Sequence, residues 1–215
     1  IWKSRQNHAS NQRLFEPSIQ STHQRQRHTM DIVGICGSAR SQSFNRMVLN
    51  LAGECMPAPM KLSTMEWGDV PPFNADVLAA GMPESVRAVR ERIRKADGVV
   101  IVTPEYNFSV PGMLKNLIDW ISRGEDQPFH NKPVAILSAT TGPLGGARVQ
   151  YDLRKVLLFL NTAVLVKPEI FVGNAAQKFD ANGQCTDALT RDFVTSQMKA
   201  FEQWIVRHHR LNQPV

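Results

Sequence analysis

Between residues 31 and 208, short apolar segments alternate with longer amphipathic ones, and this alternation constrains the fold more than any other feature. The run Gly98–Thr103 is continuously apolar, which is typical of a central strand in a parallel sheet covered on both faces. The segments between such runs repeat apolar residues at helical spacing. Strands that alternate with helices form βαβ units, so the sequence predicts an α/β fold.

The same pattern places the individual elements. It predicts five strands, at residues 31–36, 61–67, 98–103, 134–138 and 164–172, the last interrupted near Pro168. It predicts five helices, at residues 44–54, 83–95, 111–122, 146–160 and 187–208. We therefore expect a three-layer sandwich with a five-stranded parallel sheet, formed by residues 30–215 as one domain. In such sheets ligands bind beyond the carboxyl ends of the strands, where the strand order reverses.

The composition supports one globular domain. The 215 residues are 42% hydrophobic and 20% charged, which suits a single domain with a sizeable core. No apolar run approaches the ~18 residues of a membrane helix, so we expect no membrane partner. The three cysteines are widely spaced and the histidines lack metal-ligand spacing, so we expect no disulfide framework and no metal. A reducing cytoplasm is the expected location.

Residues 1–29 differ from the rest of the chain. They are rich in Gln, Asn and Ser, and they hold five basic residues against one acidic residue. They carry four of the six formal positive charges, so the remainder is close to neutral. Since they contain no apolar core of a signal peptide, we interpret them as a disordered polar and basic leader or an added extension. A basic arm for nucleic acid is the alternative, and we expect no nucleic-acid partner for the domain itself.

The loop at residues 37–45 joins the first strand to the first helix and is dense in hydrogen-bond donors. Ser38, Ser43 and Asn45 offer hydroxyl and amide groups, and Arg40 offers a guanidinium. Backbone N–H groups and the helix dipole favour an anion at such a helix start. The loop lacks the glycine spacing of a pyrophosphate site and the Lys of a P-loop. It therefore favours a terminal phosphomonoester, such as that of FMN, over a capped helix with a solvated arginine, the alternative.

The loop at residues 104–111 follows the central strand and is bounded by two prolines, which fix its backbone. Tyr106 and Phe108 offer flat apolar surface, as a flavin ring requires. We interpret Glu105 and Asn107 as shaping the loop, because hydride transfer to a flavin needs positioning more than proton relay. The alternative is a structural turn with surface aromatics.

Two motifs in these loops resemble a known family. They are Gly37-Ser-x-Arg-x-x-Ser-x-Asn45 and Pro104-Glu-Tyr-Asn-x-Ser-x-Pro-Gly-x-Leu-Lys-Asn-x-Ile-Asp-Trp120. Together they look like the NADPH-dependent FMN reductase family, which includes quinone-, azo- and chromate-reducing members. The resemblance spans residues 31–208 and implies a flavodoxin-like fold with FMN as cofactor. It implies an FMN phosphate held by Ser38, Arg40, Ser43 and Asn45, and an isoalloxazine lined by Pro104, Glu105, Tyr106 and Asn107.

A third loop follows the fourth strand. Thr140 and Thr141 are candidates to bond the ribityl chain or the ring edge. Gly142, Gly145 and Gly146 allow close approach of backbone to a ligand. The helix that begins after these glycines is expected to direct its positive dipole end toward the flavin. The alternative is that the glycines serve as ordinary turn residues.

The binding of the nicotinamide cofactor is less clearly marked, since the sequence holds no second dinucleotide fingerprint. Arg123, Arg148 and Lys155 are candidates for its phosphates, with solvated or subunit-interface charges as the alternative. We assign no catalytic acid, base or nucleophile.

The sequence thus predicts an FMN-dependent oxidoreductase that passes electrons from NADPH or NADH to a small soluble acceptor by a ping-pong mechanism. The alternative is a flavodoxin-type electron carrier, or an FMN-binding regulatory protein without turnover. A single domain leaves an open flavin face, so we expect a homodimer or homotetramer. Trp120 and the apolar residues 156–160 are the candidate contact surface, although most of them are expected in the core.

Overall fold

In the computed structural model, which describes residues 29–211, six strands form one parallel sheet. The strands are β1 (Met30–Cys36), β2 (Met60–Thr64), β3 (Gly98–Thr103), β4 (Pro133–Ala139), β5 (Ala163–Val164) and β6 (Ile170–Val172). Their order is β2-β1-β3-β4-β5, and β6 also pairs with β4. All five pairings are parallel, as the alternating sequence pattern predicts.

Six α-helices connect and cover the strands. They are α1 (Phe44–Glu54), α2 (Ala75–Ala80), α3 (Glu84–Lys95), α4 (Gly112–Ile121), α5 (Ala147–Phe159) and α6 (Ala188–Leu211), with a short 3-10 helix at Ala175–Gln177. The five predicted helices are confirmed, with ends that differ by at most a few residues. Helix α2 was not predicted, because it buries no residue and therefore leaves no apolar periodicity in the sequence.

The predicted fifth strand is divided into two short strands that pair with opposite ends of β4. Val164 pairs with Val134, and Ile170 pairs with Leu137. Between them the buried side chain of Gln197, from α6, donates Nε2 hydrogen bonds to Ile136 O (3.2 Å) and Pro168 O (2.8 Å). An amide side chain thus replaces the interrupted strand and satisfies a buried carbonyl of β4.

The core consists of two apolar layers, one on each face of the sheet. Alternate residues of β3 supply both layers: Val100 and Val102 pack with α1 and α6, whereas Val99 and Ile101 pack with α3, α4 and α5. Because every residue of β3 is buried, the strand has no polar face. This is the arrangement expected of a central parallel strand.

Two expectations about surfaces are changed by the structure. Trp120 is fully buried and its Nε1 donates to Pro71 O at 2.8 Å, so it belongs to the core and not to a contact surface. The apolar end of α5 is divided: Leu157 is fully buried, whereas Leu158 and Phe159 are 77% and 88% exposed. Helix periodicity explains the difference, since adjacent residues lie about 100° apart around the axis.

No helix among residues 29–211 has the length and apolar character required to cross a membrane. The interpretation of residues 1–29 as a leader falls almost entirely outside the described residues.

Candidate functional site

Three loops meet at the carboxyl ends of β1, β3 and β4. The strand after β1 lies on one side of this pair and the strand after β3 lies on the other, so the strand order reverses between β1 and β3. A topological switch point therefore lies between these two neighbouring strands. A cleft of about 190 Å³ opens there. It is lined by nine of the eleven expected site residues, Ser38, Arg40, Ser43, Asn45, Pro104, Glu105, Tyr106, Thr140 and Thr141, and also by Phe44 and Ala139. Asn107 and Gly142 belong to the same loops but not to this lining.

The first loop packs closely against β3 and ends in a capped helix. A Cβ on Gly37 would lie 2.6 Å from Thr103 Oγ1, so only glycine fits there. Ser43 is the N-cap of α1 and its Oγ accepts a bond from Asn45 N at 3.2 Å. Ser38 Oγ accepts a bond from Arg40 N at 3.3 Å. Each hydroxyl oxygen accepts a backbone bond, so its own hydrogen can be donated to a ligand in the cleft.

Asn45 also has a structural task. Its Nδ2 donates to Ala139 O at 3.0 Å, and its Oδ1 accepts from Ala139 N at 2.9 Å. The side chain is 3% exposed. The amide therefore ties the start of α1 to the end of β4, and this leaves the second N–H of Nδ2 for a ligand in the cleft that Asn45 lines.

Cys36 lies under the first loop at the end of β1. Its Sγ donates to Ser38 O at 3.5 Å, and burial raises the pKa of the thiol. The group is therefore a neutral thiol near neutral pH, and no negative charge from it opposes an anion at the loop.

The second loop is fixed by a tight turn. Tyr106 and Ser109 exchange two backbone hydrogen bonds, of 3.1 and 2.9 Å. Asn107 and Phe108 between them have φ values of 49° and 65°, as the central residues of a type I′ turn require. The two prolines alone suggested a rigid loop, and the turn adds a second constraint. Tyr106 remains 52% exposed at the cleft.

A buried carboxylate joins the second loop to the third. Glu105 Oε2 accepts from Arg148 N (3.1 Å) and Val149 N (3.2 Å), and Oε1 accepts from Arg148 Nε (2.7 Å). The side chain of Glu105 is 8% exposed. Glu105 thus shapes the second loop, as the sequence of that loop predicts. It also caps α5, because two N–H groups at that helix start bond this carboxylate, so its negative charge offsets the positive dipole end that was expected to face the flavin.

The glycines of the third loop divide into two kinds. Gly145 and Gly146 have φ values of 60° and 81°. A Cβ on Gly145 would lie 2.6 Å from the carbonyl carbon of Phe171, and one on Gly146 would lie 2.8 Å from Ser138 Cβ. These two glycines are required by internal packing, which corrects the expectation of ligand approach. A Cβ on Gly142 would have no other atom within 4 Å, so the space beside this glycine is open.

The threonines of this loop lie at the cleft. Thr140 Oγ1 donates to Gly142 O at 3.1 Å, while Thr140 N donates to Val172 O at 3.1 Å. Thr141 is exposed. Both side chains line the cleft opposite the first loop's helix start.

The three cations considered for the nicotinamide phosphates are engaged within the chain. Arg148 bonds Glu105, and its Cζ lies 3.8 Å from the Phe108 ring centroid. Arg123 lies over the Phe73 ring at 4.9 Å, and Lys155 pairs with Asp152 at 2.9 Å. Among residues 29–211, no group of three or more His, Cys, Asp or Glu side chains is arranged to hold a metal.

Sequence reasoning did not identify Phe44 and Ala139 as parts of the lining. Phe44 is the first residue of α1, and its ring lies 6.4 Å from that of Phe179. Ala139 is the last residue of β4. Their positions directly after Ser43 and before Thr140 are the signal that could have indicated them.

A parallel sheet in this strand order, with a cleft at the β1/β3 switch point, defines the flavodoxin-like class of α/β protein. Comparison with known proteins identifies the family within that class. The model of the family described as NADPH-dependent FMN reductase matches residues 30–177, and the chain belongs to this family. It is therefore an oxidoreductase, as its motifs suggested.

Individual relatives agree with this assignment. The chain is 46% identical over 181 residues to a quinone reductase of Escherichia coli K12, covering 83% of this chain and 96% of the relative. It is 43% identical over 176 residues to an NAD(P)H-dependent FMN reductase of Pseudomonas aeruginosa, covering 82% and 95%. The solved structure of the flavoenzyme NAD(P)H:(acceptor) oxidoreductase FerB from Paracoccus denitrificans superimposes with a TM-score of 0.77. It is 34% identical, and the match covers 83% of this chain and 98% of FerB.

Proposed function

We propose that this protein binds FMN in the cleft between the three loops and passes electrons from NADPH or NADH to a small soluble acceptor. One observation carries the proposal. The start of α1, with its serine hydroxyl groups, and the rigid turn of the second loop line the same cleft at the switch point. The relatives named as FMN and quinone reductases support it. The acceptors we propose are quinones, free flavins, azo compounds and metal oxyanions such as chromate.

The first loop suits a phosphomonoester. Ser38 and Ser43 line the cleft, and the helix α1 that follows them runs for 11 residues. Arg40 is exposed at the rim of the cleft and supplies a charge-assisted bond. In this proposal these three residues and Asn45 hold the FMN phosphate, and Asn45 also fixes the helix start against β4.

The second and third loops suit a flat ring. We assign the lining of the ring to Pro104, Glu105, Tyr106 and Asn107, whose backbone is held rigid by the turn and by the Glu105 bonds. Rigid main-chain donors and acceptors are what the pyrimidine edge of an isoalloxazine requires. On the opposite side, we assign the ribityl chain and the ring edge to the three residues Thr140, Thr141 and Gly142.

FMN, when bound, supplies the electron-transfer chemistry of the reaction. The protein supplies position. Within residues 29–211, Glu105 is the one carboxylate in the lining of the cleft, and its oxygens already accept three bonds. These bonds hold the carboxylate in place as a group that positions the loop. The residues of the cleft therefore act by binding, orienting and shielding the two substrates in turn.

The test of this function is direct. The purified protein is expected to absorb in the flavin range, to release FMN on denaturation, and to oxidise NADPH with a quinone and no protein partner. An electron carrier or a regulatory protein would bind FMN without this turnover. Release of FAD, or absence of any flavin after incubation with FMN, would contradict the cofactor assignment.

We also propose that residues 30–215 act as one unit in a homodimer or homotetramer. The exposed side chains of Leu158 and Phe159 at the end of α5 support this proposal, because large apolar groups at a surface mark contact sites. We propose a cytoplasmic location, since Cys36, Cys55 and Cys185 are free thiols.

A further inference from the structure

Glu105 places a full negative charge beside the cleft. Its carboxylate accepts bonds from the N–H groups of Arg148 and Val149 at the start of α5, and Glu105 is one of the residues that line the cleft. At 8% exposure, the side chain is poorly screened by solvent. The N-terminus of α5 alone would present a partial positive charge here. The full negative charge of Glu105 exceeds it, so the two together are net negative.

Arg148 balances this charge. Its Nε donates to Glu105 Oε1 at 2.7 Å, and its guanidinium stacks on the Phe108 ring with Cζ 3.8 Å from the centroid. Phe108 is itself held in the tight turn at a φ of 65°. The guanidinium is therefore fixed by two contacts, although the side chain is 45% exposed. The electrostatic potential at the cleft therefore includes opposing contributions from the fixed Glu105 carboxylate and the fixed Arg148 guanidinium.

We propose that Glu105 and Arg148 form an opposed pair that sets the reduction potential of the flavin in the cleft, Glu105 lowering it and Arg148 raising it. The inference rests on the proposed function. Reduction increases the electron density of a flavin, so a neighbouring negative charge disfavours the reduced form and a positive charge favours it. Neither residue donates or accepts a proton in this role; both are positioning residues.

The pair predicts shifts of opposite sign. Glu105→Gln keeps the shape of the side chain and an acceptor for one N–H group, so the midpoint potential of bound FMN is expected to become more positive. Arg148→Gln leaves Glu105 uncompensated, so the potential is expected to become more negative. The double variant is expected to lie between the two. Equilibrium reduction of the FMN-loaded protein against a reference dye measures each value.

A matched control uses a second ion pair. Glu54→Gln removes one partner of the Glu54–Arg191 pair (3.0 Å) at the far end of α1, and no shift is expected. Shifts of the same sign in both cleft variants, or no shift in either, would overturn the inference. Far-ultraviolet circular dichroism would reveal whether Glu105→Gln folds. If it does not, the inference is tested by Arg148→Gln alone, whose midpoint potential should be more negative than that of Glu54→Gln. Wild-type protein that takes up no FMN would overturn the proposed function as well, whereas FMN uptake with unshifted variants overturns this inference alone.

Discussion

The side chain of Asn45 pairs with the backbone of Ala139 through two hydrogen bonds of 2.9 and 3.0 Å, although the residues lie 94 positions apart. Asn45 lies in the first turn of α1, and Ala139 is the last residue of β4. The pair therefore fixes the first loop relative to the third and determines the width of the cleft between them. The Asn45 side chain thereby influences cofactor binding through the two elements that it holds together.

Replacing Asn45 by Ala should destabilise the protein. The N–H and C=O of Ala139 lose their partners within the buried end of β4, and each unpaired group costs about 1–3 kcal/mol. We expect urea denaturation to give a free energy of unfolding lower by at least about 2 kcal/mol. Asn50, exposed on the same helix, is the matched control, and Asn50→Ala should change stability by less than about 0.5 kcal/mol. Equal effects of the two substitutions would show that the Ala139 bonds contribute nothing.

Replacing Arg40 by Ala should weaken FMN binding without affecting stability. Arg40 is exposed and forms no ion pair among the described residues, so its guanidinium is available for a phosphate. A charge-assisted bond contributes about 1.5–3 kcal/mol, which corresponds to a loss of affinity of roughly ten- to a hundredfold. Quenching of flavin fluorescence on titration of the apoprotein measures it. Arg87→Ala, on the exposed face of α3, is the control; unchanged affinity in Arg40→Ala would remove Arg40 from the site.

The sequence predicts the fold well because burial leaves periodic patterns. Strands such as β3 are apolar throughout, and α3 repeats buried residues at helical spacing. The exposed helix α2 leaves no such pattern, and the division of the last strand depends on Gln197, a residue of a distant helix. Both features lie outside what local periodicity can report.

Within the site, the sequence indicates which loops meet but not how their side chains pair. Asn45 and Glu105 occur in motifs rich in donors and acceptors, yet their partners lie on other elements, Ala139 at the end of β4 and Arg148 at the start of α5. Gly145 is a similar case: only glycine fits at this position because the backbone of Phe171, in β6, lies too close for a Cβ atom. Long-range pairing of this kind follows from tertiary packing, which a single sequence does not display.

The assembly prediction concerns the end of α5. Leu158 and Phe159 project from the surface, and burying two such side chains against a second copy contributes about 1.5–3 kcal/mol each. We expect light scattering at micromolar concentration to give the mass of a dimer or tetramer. Phe159→Glu should lower that mass, whereas Val77→Glu on the exposed helix α2 should not. A monomeric mass for the wild-type protein would count decisively against the prediction.

The kinetic prediction follows from the single cleft at the switch point. In the proposed function FMN fills this cleft and exposes one face of its ring, and we expect donor and acceptor to bind on that face at different times. Initial rates at several fixed acceptor concentrations should therefore give parallel double-reciprocal lines. Excess quinone should inhibit competitively against NADPH, because it occupies the place that the donor needs. Intersecting lines would require both substrates to be bound together, and a second substrate site outside this cleft would then have to exist.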